Sequence, residues 1–237
     1  MMDRLSHFTT LDYAAVFLLL IAWCLIGYLI ENSSENRPSV SVLMARYRRE
    51  WMLQMLTRDP RIFDAQILAS LRQGTSFFAS ATMIAIGGCL ALLGNTERLM
   101  GIAQDLTLDS NPIVVWEVKV LVILILLANS FLKFVWANRL FGYCAVLLAS
   151  VPNDPKDPEA LPRAKQAGEI NITGARSFNR GLRSVYFALA ATAWLLGPGA
   201  LIAATLVTCL VLLRREFASQ SHEILRYPDY DTMHTDK

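Results

Sequence analysis

Long apolar stretches are the feature that most restricts how this chain can fold. The first is LDYAAVFLLLIAWCLIGYLI, residues 11–30, and others lie at 75–95, 113–133 and 184–213. An α-helix of about 20 residues spans the roughly 30 Å hydrocarbon core of a bilayer. Only helices and closed barrels satisfy their own backbone hydrogen bonds in lipid, and stretches of this length suit helices. The sequence therefore predicts an all-α, polytopic membrane helix bundle of about four spans.

The last apolar stretch, 184–213, is compatible with two topologies. As one helix its thirty residues would be about 45 Å long, and Pro198 would bend it. Split at Gly197, each half would be about 21 Å long, which is short of a full crossing. We predict one kinked, tilted span, and a re-entrant hairpin is the alternative.

The distribution of Lys and Arg predicts the orientation of the spans. Segments 31–74 and 134–183 each carry seven such residues, whereas segment 95–112 carries one. Because loops rich in Lys and Arg remain in the cytoplasm, we expect both basic segments on that side. Four spans would then place both termini outside, together with Arg214 and Arg215. A hairpin would return these two arginines to the cytoplasm.

Helical patterns also continue outside the predicted spans. The segment FVWANRLFGYCAVLLASV follows the third span without interruption, and residues 40–59 have the pattern of a basic amphipathic helix. Such a helix can lie on an anionic membrane surface. We therefore expect helices that extend into the cytoplasm, and a proline-rich loop at 151–167. The bundle is expected to comprise 1–218, followed by a polar C-terminal tail at 219–237.

Small residues recur along the second apolar stretch. Alanine and glycine let two helix backbones approach closely, which favours association in lipid, where no hydrophobic force acts between helices. We therefore predict that this span is the most tightly packed one and that its small residues contact another helix. The predicted helix-packing residues are Ala81, Ala85, Gly87, Gly88 and Ala91.

Two opposite charges, Glu117 and Lys119, lie inside the third apolar stretch. Two residues apart on a helix, they point to different sides and do not pair with each other. Charges at membrane depth are costly, so each is expected to have a partner. With four spans, Glu117 is predicted to pair with Arg214 or Arg215. Lys119 is predicted to pair with Asp12 in the same outer layer, and a proton or ion relay is the functional alternative.

Basic and amide side chains gather beside the predicted spans. They could bind a phosphate or a lipid headgroup, although the positive-inside rule alone also places basic residues there. The candidate headgroup contacts are Lys133, Arg139, Arg180 and Arg183, with Asn138 and Asn179 next to them.

Several fragments together resemble the DUF599 family of uncharacterised membrane proteins, which are found in bacteria and plants. These fragments are SFFASATMIAIGGCLALLG, KFVWANRLFGYCAVLLASVP, FNRGLRSVYFALAATAWLLGPGA and RREFAS. The resemblance covers most of residues 40–218 and implies an integral membrane protein of about four spans. It implies no catalytic residues. We expect the chain to reside in a bacterial inner membrane.

No motif in the chain points to a reaction or a cofactor. The metalloprotease H-E-x-x-H, the nucleophile G-x-S-x-G and the P-loop pattern are all missing from the sequence. The four cysteines are isolated, and the three histidines lie in terminal segments, so no metal site or haem is predicted. The net charge of +2 offers no field for nucleic acid. We do not expect an enzyme.

An accessory or scaffold role in a membrane assembly is the function that we expect. Its partners would be membrane lipid and either other membrane subunits or further copies of the chain. A small-solute or ion transporter or channel is the alternative, and Asn129 and Ser130 are its best polar candidates within a span. A lipid- or phosphate-binding membrane enzyme is the third possibility, with the basic cluster as its site.

Overall fold

A computed structural model describes residues 7–95, 101 and 112–226 of the chain. The regular elements in these ranges are all helical, which confirms the predicted all-α fold. In chain order the α-helices are α1 (Thr10–Glu31), α2 (Val40–Gln54), α3 (Ile62–Gly94), α4 (Ile113–Ala149), α5 (Ala160–Thr192), α6 (Pro198–Phe217) and α7 (Gln220–Arg226). Short 3₁₀ turns follow α2 and α5, at Met55–Thr57 and Ala193–Leu196.

Helices α1, α3 and α4 are long and apolar enough to cross a membrane. They contain 22, 33 and 37 residues, and a helix rises about 1.5 Å per residue. Both α3 and α4 therefore exceed the roughly 30 Å hydrocarbon core, so each is longer than one span, as predicted. The length and composition of these three helices indicate a membrane protein.

The predicted fourth span is not a single helix. α5 ends at Thr192, a 3₁₀ turn follows, and α6 begins at Pro198. Gly197, between them, has a φ of +123°, which glycine adopts readily and a residue with a Cβ does not. Proline suits the first position of a helix, where its missing N–H has no intrahelical acceptor. The prediction of one kinked helix over 184–213 is therefore wrong.

The helices contribute to two compact units. The first contains the chain up to Gly27, Phe78–Leu132 and Arg180–Val211, and the second contains Tyr28–Phe77, Lys133–Asn179 and the chain from Leu212. The divisions between the two units fall within α1, α3, α4, α5 and α6.

In the first unit, α5 runs antiparallel to α1. The Trp23 indole N–H donates to the Ser184 hydroxyl at 3.1 Å. Later in the chain, the Trp194 indole N–H donates to Asp12, near the start of α1, at 2.7 Å. The largest buried apolar side chains of this unit include Leu19, Trp116, Leu126, Phe187 and Leu201. Apolar packing and a few long-range hydrogen bonds therefore hold α1 and α5 together.

In the second unit, α5 is antiparallel to both α2 and α4. The contacts that show this are Ser41–Asn179 and Arg49–Glu169 between α2 and α5, and Phe134–Phe178 and Cys144–Ala167 between α4 and α5. Gly174 permits the close approach of α5 to α4, because a Cβ there would lie 3.0 Å from the Phe141 ring. These contacts place α5 against both neighbouring helices.

The proline-rich connector is shorter than predicted. α5 begins at Ala160, so the irregular segment does not extend to residue 167. Pro162 lies in the first turn of α5, where a missing N–H costs no intrahelical bond. Ala160, Ala164 and Ala167 are fully buried in the core of the second unit. Burial of this alanine face therefore favours helix over loop.

The end of α6 and helix α7 lie beside the start of α2. The carboxylate of Glu216 accepts hydrogen bonds from the N–H and the hydroxyl of Ser41, at 3.0 and 3.1 Å. The ring N–H of His222 donates to the carbonyl of Pro38 at 2.9 Å. The described part of the predicted polar tail is therefore helical and packed. Residues 227–237 of that tail lie outside the described residues.

These contacts favour the hairpin alternative over one kinked span, because the four-span topology expects the C-terminal region on the opposite side from Arg46. α7 and α2, the helix that contains Arg46, belong to the same unit and lie side by side. The physical reason is the break at Gly197, which lets α6 return the chain towards the start of α2, as in the hairpin alternative.

Candidate functional site

A buried carboxylate lies in the first turn of α1. Asp12 is 8% exposed, and a negative charge is favourable at this end of a helix dipole. Its Oδ2 accepts hydrogen bonds from the hydroxyl and the N–H of Thr9, at 2.7 and 3.0 Å, in the manner of a capping box. Its Oδ1 accepts from Trp194 Nε1 at 2.7 Å. Both oxygens are thus engaged, and one bond joins α1 to the turn after α5.

Lys119, 5% exposed on α4, lies against two indole rings. Its Nζ is 4.6 Å from the centroid of Trp116 and 5.9 Å from that of Trp194, both within the roughly 6 Å range of cation–π attraction. The charge of Lys119 also attracts the Asp12 carboxylate. Trp194 therefore contacts both charges, with its N–H at Asp12 and its ring at Lys119.

The predicted pairing of Lys119 with Asp12 takes an indirect form. The two residues are brought together around Trp194. Over the described ranges, however, no direct ion pair within 4.0 Å joins their side chains. We name the group formed by Asp12, Trp116, Lys119 and Trp194 the charged cluster.

The predicted pairing of Glu117 with Arg214 or Arg215 is wrong. Among the described residues Glu117 forms no ion pair with either arginine. Both arginines belong to the second unit, whereas Glu117 belongs to the first. The prediction assumed that α6 would end beside the start of α1, but the break at Gly197 directs α6 to the start of α2.

A second polar group lies where α1, α4 and α5 meet in the first unit. The hydroxyl oxygen of Ser184, which is fully buried, accepts hydrogen bonds from Trp23 Nε1 at 3.1 Å and from Asn129 Nδ2 at 2.7 Å. The neighbouring Ser130 hydroxyl donates to the Gly181 carbonyl at 2.9 Å. Asn129 and Ser130, the predicted polar candidates of a span, therefore join helices. We name Trp23, Asn129 and Ser184 the polar node.

The candidate headgroup residues differ in their burial and in the unit to which they belong. Lys133 and Arg139 belong to the second unit, and Arg180 and Arg183 to the first. Arg180 is exposed, whereas Arg183 is only 6% exposed and lies beside Gly27, where a Cβ would be 3.8 Å from its Nε. Burial of Arg183 separates it from the others, which remain accessible to lipid or solvent.

The two asparagines of that group have local partners. Asn138 donates to the Ser76 hydroxyl at 2.5 Å, and Asn179 donates to the Ser41 hydroxyl at 3.4 Å. Each asparagine thus joins two helices of the second unit, α4 with α3 and α5 with α2. These hydrogen bonds between helices indicate that the two asparagines serve in helix packing.

The predicted helix-packing residues of α3 face away from the rest of the chain. Ala81, Ala85, Gly87, Gly88 and Ala91 are all exposed. A Cβ on Gly87 or Gly88 would have no neighbour within 4 Å. Of the most apolar part of α3 only 6% is buried, against 28% in α1 and 39% in α4. The prediction that this helix is the most tightly packed one is therefore wrong within the chain.

Larger side chains hold α3 to the first unit. Cys89 and Leu93 pack against Trp116 and Val120 of α4, and Thr82 is 5% exposed. These α3 residues are spaced by seven and four positions, so they share one face of the helix. Ala81, Ala85, Gly87, Gly88 and Ala91 lie on the exposed side of the helix, which they share with the larger Met83, Ile84 and Leu90. We name these five small residues the small-residue face.

Trp23, Ser184 and Trp194 were not among the predicted residues, although they take part in long-range hydrogen bonds of the first unit. A signal was available for the two tryptophans. An indole N–H inside an apolar helix needs an acceptor, so each tryptophan within a predicted span implies a polar partner on another helix. The identity of that partner depends on the fold.

Comparison with known proteins identifies a family. A family model described as "Protein of unknown function, DUF599" matches residues 14–221. No curated protein and no solved structure matches the chain. The matched region includes the polar node, the small-residue face and the charged cluster except Asp12. Because the match covers most of its length, the chain belongs to the DUF599 family of proteins of unknown function.

Proposed function

We propose that this chain is an accessory or scaffold subunit of a membrane assembly, which it joins through the small-residue face of α3. The observation that carries the proposal is the exposure of an apolar helix with only 6% of its most apolar part buried. The residues that would permit the closest helix approach are the exposed ones. Helices associate in lipid by such close packing.

The asymmetry of α3 supports docking of another helix over simple contact with lipid. Bulky side chains such as Leu93 already attach α3 to its own chain. On the exposed side, Gly87 and Gly88 leave a shallow surface with nothing within 4 Å of a Cβ. Lipid chains fill such a surface less well than a rigid helix does, because a close helix contact gains dispersion energy along its whole length.

We further propose that the protein resides in a bacterial inner membrane with both basic segments in the cytoplasm. The positive-inside count supports this orientation. The contacts between α7 and the start of α2 support it as well, since they remove the conflict with Arg214 and Arg215. These two arginines belong to the same unit as Arg46. Membrane lipid is then a partner of the exposed apolar helices.

The experiment is purification of the tagged chain from its own membranes in a gentle detergent, followed by native mass spectrometry. The proposal expects a defined complex, either with other membrane subunits or with further copies of the chain. The two results distinguish an accessory subunit from a homo-oligomeric scaffold. A monomer that carries only lipid would contradict the proposal.

Transport of a small solute or ion is the second candidate function. The charged cluster and the helix break at Gly197 favour it, because transporters place ionisable groups and interrupted helices inside the membrane. The test is ion or solute flux in liposomes for the wild type, Lys119→Met and Asn129→Ala. Flux that both substitutions abolish while the protein stays folded would favour transport. No flux in the wild type would remove this candidate.

A further inference from the structure

A buried polar network joins α2, α4 and α5 in the second unit. Asn171 is fully buried, and its Oδ1 accepts a short hydrogen bond from Arg48 Nη1. Its Nδ2 donates to Cys144 Sγ at 3.6 Å, and Cys144 donates to the Ala167 carbonyl at 3.4 Å. Both sides of the Asn171 amide are engaged, so its oxygen is held towards Arg48.

Arg48 has no carboxylate partner in the part of the chain that the structure describes. Glu169, two residues before Asn171, is instead bonded to Arg49 at 2.6 and 3.3 Å. Burial lowers the pKa of the Arg48 guanidinium, but arginine stays protonated in proteins. A cation withdrawn from water beside a neutral amide is costly unless an anion accompanies it. The network therefore lacks its counter-charge.

The geometry allows an external anion to fill that role. A guanidinium carries five N–H donors, and Arg48 uses one of them within the described ranges. Arg48 is partly exposed rather than sealed, so a ligand can reach it. α5 packs against α2 beside this network, since a Cβ on Gly168 would lie 3.4 Å from Met52 Cγ. The hydrogen bond to Asn171 thus orients the Arg48 guanidinium before any ligand binds.

We propose that Arg48, oriented by Asn171, binds a phosphate group, which is either the headgroup of an anionic phospholipid or a soluble phosphate. A guanidinium can donate two parallel N–H···O hydrogen bonds to the oxygens of one phosphate. α2 directly follows α1, a helix that can cross a membrane, so phospholipid headgroups lie within reach of it. The site does not involve α3 and is independent of the proposed assembly.

The test uses the full-length protein in nanodiscs of phosphatidylglycerol or of phosphatidylcholine, the latter with and without inorganic phosphate. We expect the midpoint of thermal unfolding to rise with phosphatidylglycerol, with inorganic phosphate, or with both. A response to the lipid alone identifies a headgroup site, and a response to inorganic phosphate alone identifies a soluble ligand.

Arg48→Gln should lower the affinity, by about tenfold or more, for whichever ligand raises the midpoint of the wild type, because charge-assisted hydrogen bonds are strong. The control Arg49→Gln should respond like the wild type. Absence of any response, or an equal response in Arg48→Gln, would overturn the proposal.

A second variant keeps the test decisive if Arg48→Gln does not fold. Asn171→Asp preserves the size of the side chain and places a carboxylate against Arg48, so the chain supplies its own anion. We expect a higher midpoint than the wild type in phosphatidylcholine without phosphate, and no further gain from either ligand. A lower midpoint together with a ligand response as large as that of the wild type would overturn the proposal.

Discussion

The indole N–H of Trp194 lies 2.7 Å from Oδ1 of Asp12, and the ring of the same tryptophan lies 5.9 Å from the Nζ of Lys119. One side chain therefore contacts two buried charges on two helices. It also precedes Gly197, where the chain breaks between α5 and α6. Trp194 thereby fixes the position of this break relative to the start of α1.

Replacement of Trp194 by phenylalanine should destabilise the first unit. Phenylalanine keeps a ring beside Lys119 but leaves Asp12 Oδ1 without its donor, and an unsatisfied buried acceptor costs about 1–3 kcal/mol. The measurement is the unfolding midpoint in detergent. The control is Trp136→Phe, since Trp136 is 48% exposed and should be unaffected. Equal midpoints for the two variants would show that the hydrogen bond to Asp12 is unimportant.

Removal of the hydroxyl at the polar node should loosen three helices at once. Ser184→Ala deprives both Trp23 and Asn129 of their acceptor. Hydrogen bonds between membrane helices average about 0.6 kcal/mol and reach about 1.7 kcal/mol, so a loss of about 1–2 kcal/mol is expected. Unfolding in mixed micelles measures it, with the exposed Ser80→Ala as the control. A Ser184→Ala variant as stable as the control would contradict the role of the node.

Acid should weaken the contact between α2 and α5. The hydrogen bond from Arg49 lowers the pKa of Glu169 below its ordinary value of 4.5, and the charge of Arg49 adds to this effect. A depressed carboxyl pKa contributes stability above pH 4.5, and this stability is lost as the pH falls through the native value. The side chains are 54% and 57% exposed, so the pair contributes only about 0.2–1 kcal/mol.

A comparison of stability between pH 7 and pH 3 tests this expectation. Glu169→Gln should be slightly less stable than the wild type at neutral pH and should lose less stability in acid. Glu50→Gln, at an exposed position on α2, is the control and should follow the wild type. Parallel pH profiles for wild type and Glu169→Gln would contradict the prediction.

The side of the C-terminal helix can be measured directly. Single cysteines replacing Arg46, Glu223 and Thr10, in a chain whose four native cysteines are changed to serine, report exposure to a membrane-impermeant reagent. The contacts of α7 with the start of α2 predict that positions 46 and 223 are labelled from the same side. Position 10 should be labelled from the other side. Labelling of 46 and 223 from opposite sides would restore the four-span topology.

The positions of the long helices could be predicted from the length of the apolar stretches, because a segment that crosses lipid must satisfy its own backbone hydrogen bonds. It did not show that 184–213 divides. A thirty-residue apolar stretch fits one tilted helix as well as two shorter ones. The Gly-Pro-Gly sequence marked the position of a bend, but only contacts such as Glu216 with Ser41, after the break, show that the chain returns.

The candidate sites could likewise be predicted only in part. Helical spacing shows which residues share a face, but it does not show which neighbours that face contacts. The spacing of Ala81, Ala85 and Gly88 correctly marks one face of a helix, but spacing does not say which neighbour covers it. Arg48 and Asn171 lie far apart in the sequence, and neither is unusual on an amphipathic helix. Their pairing depends on the antiparallel packing of α2 against α5, which local sequence does not encode.

The size of the native complex after enlargement of the small-residue face tests the central claim most directly. Ala81→Leu and Ala85→Leu add bulk to α3 where the chain itself has room, so each monomer should fold normally. Ala14→Leu is the matched control, an equal enlargement at an exposed position of α1. By native mass spectrometry from nanodiscs, we predict that the two α3 variants lose the partner or the second copy while Ala14→Leu retains it. An unchanged complex in both α3 variants would contradict the proposal that this face joins the chain to its assembly.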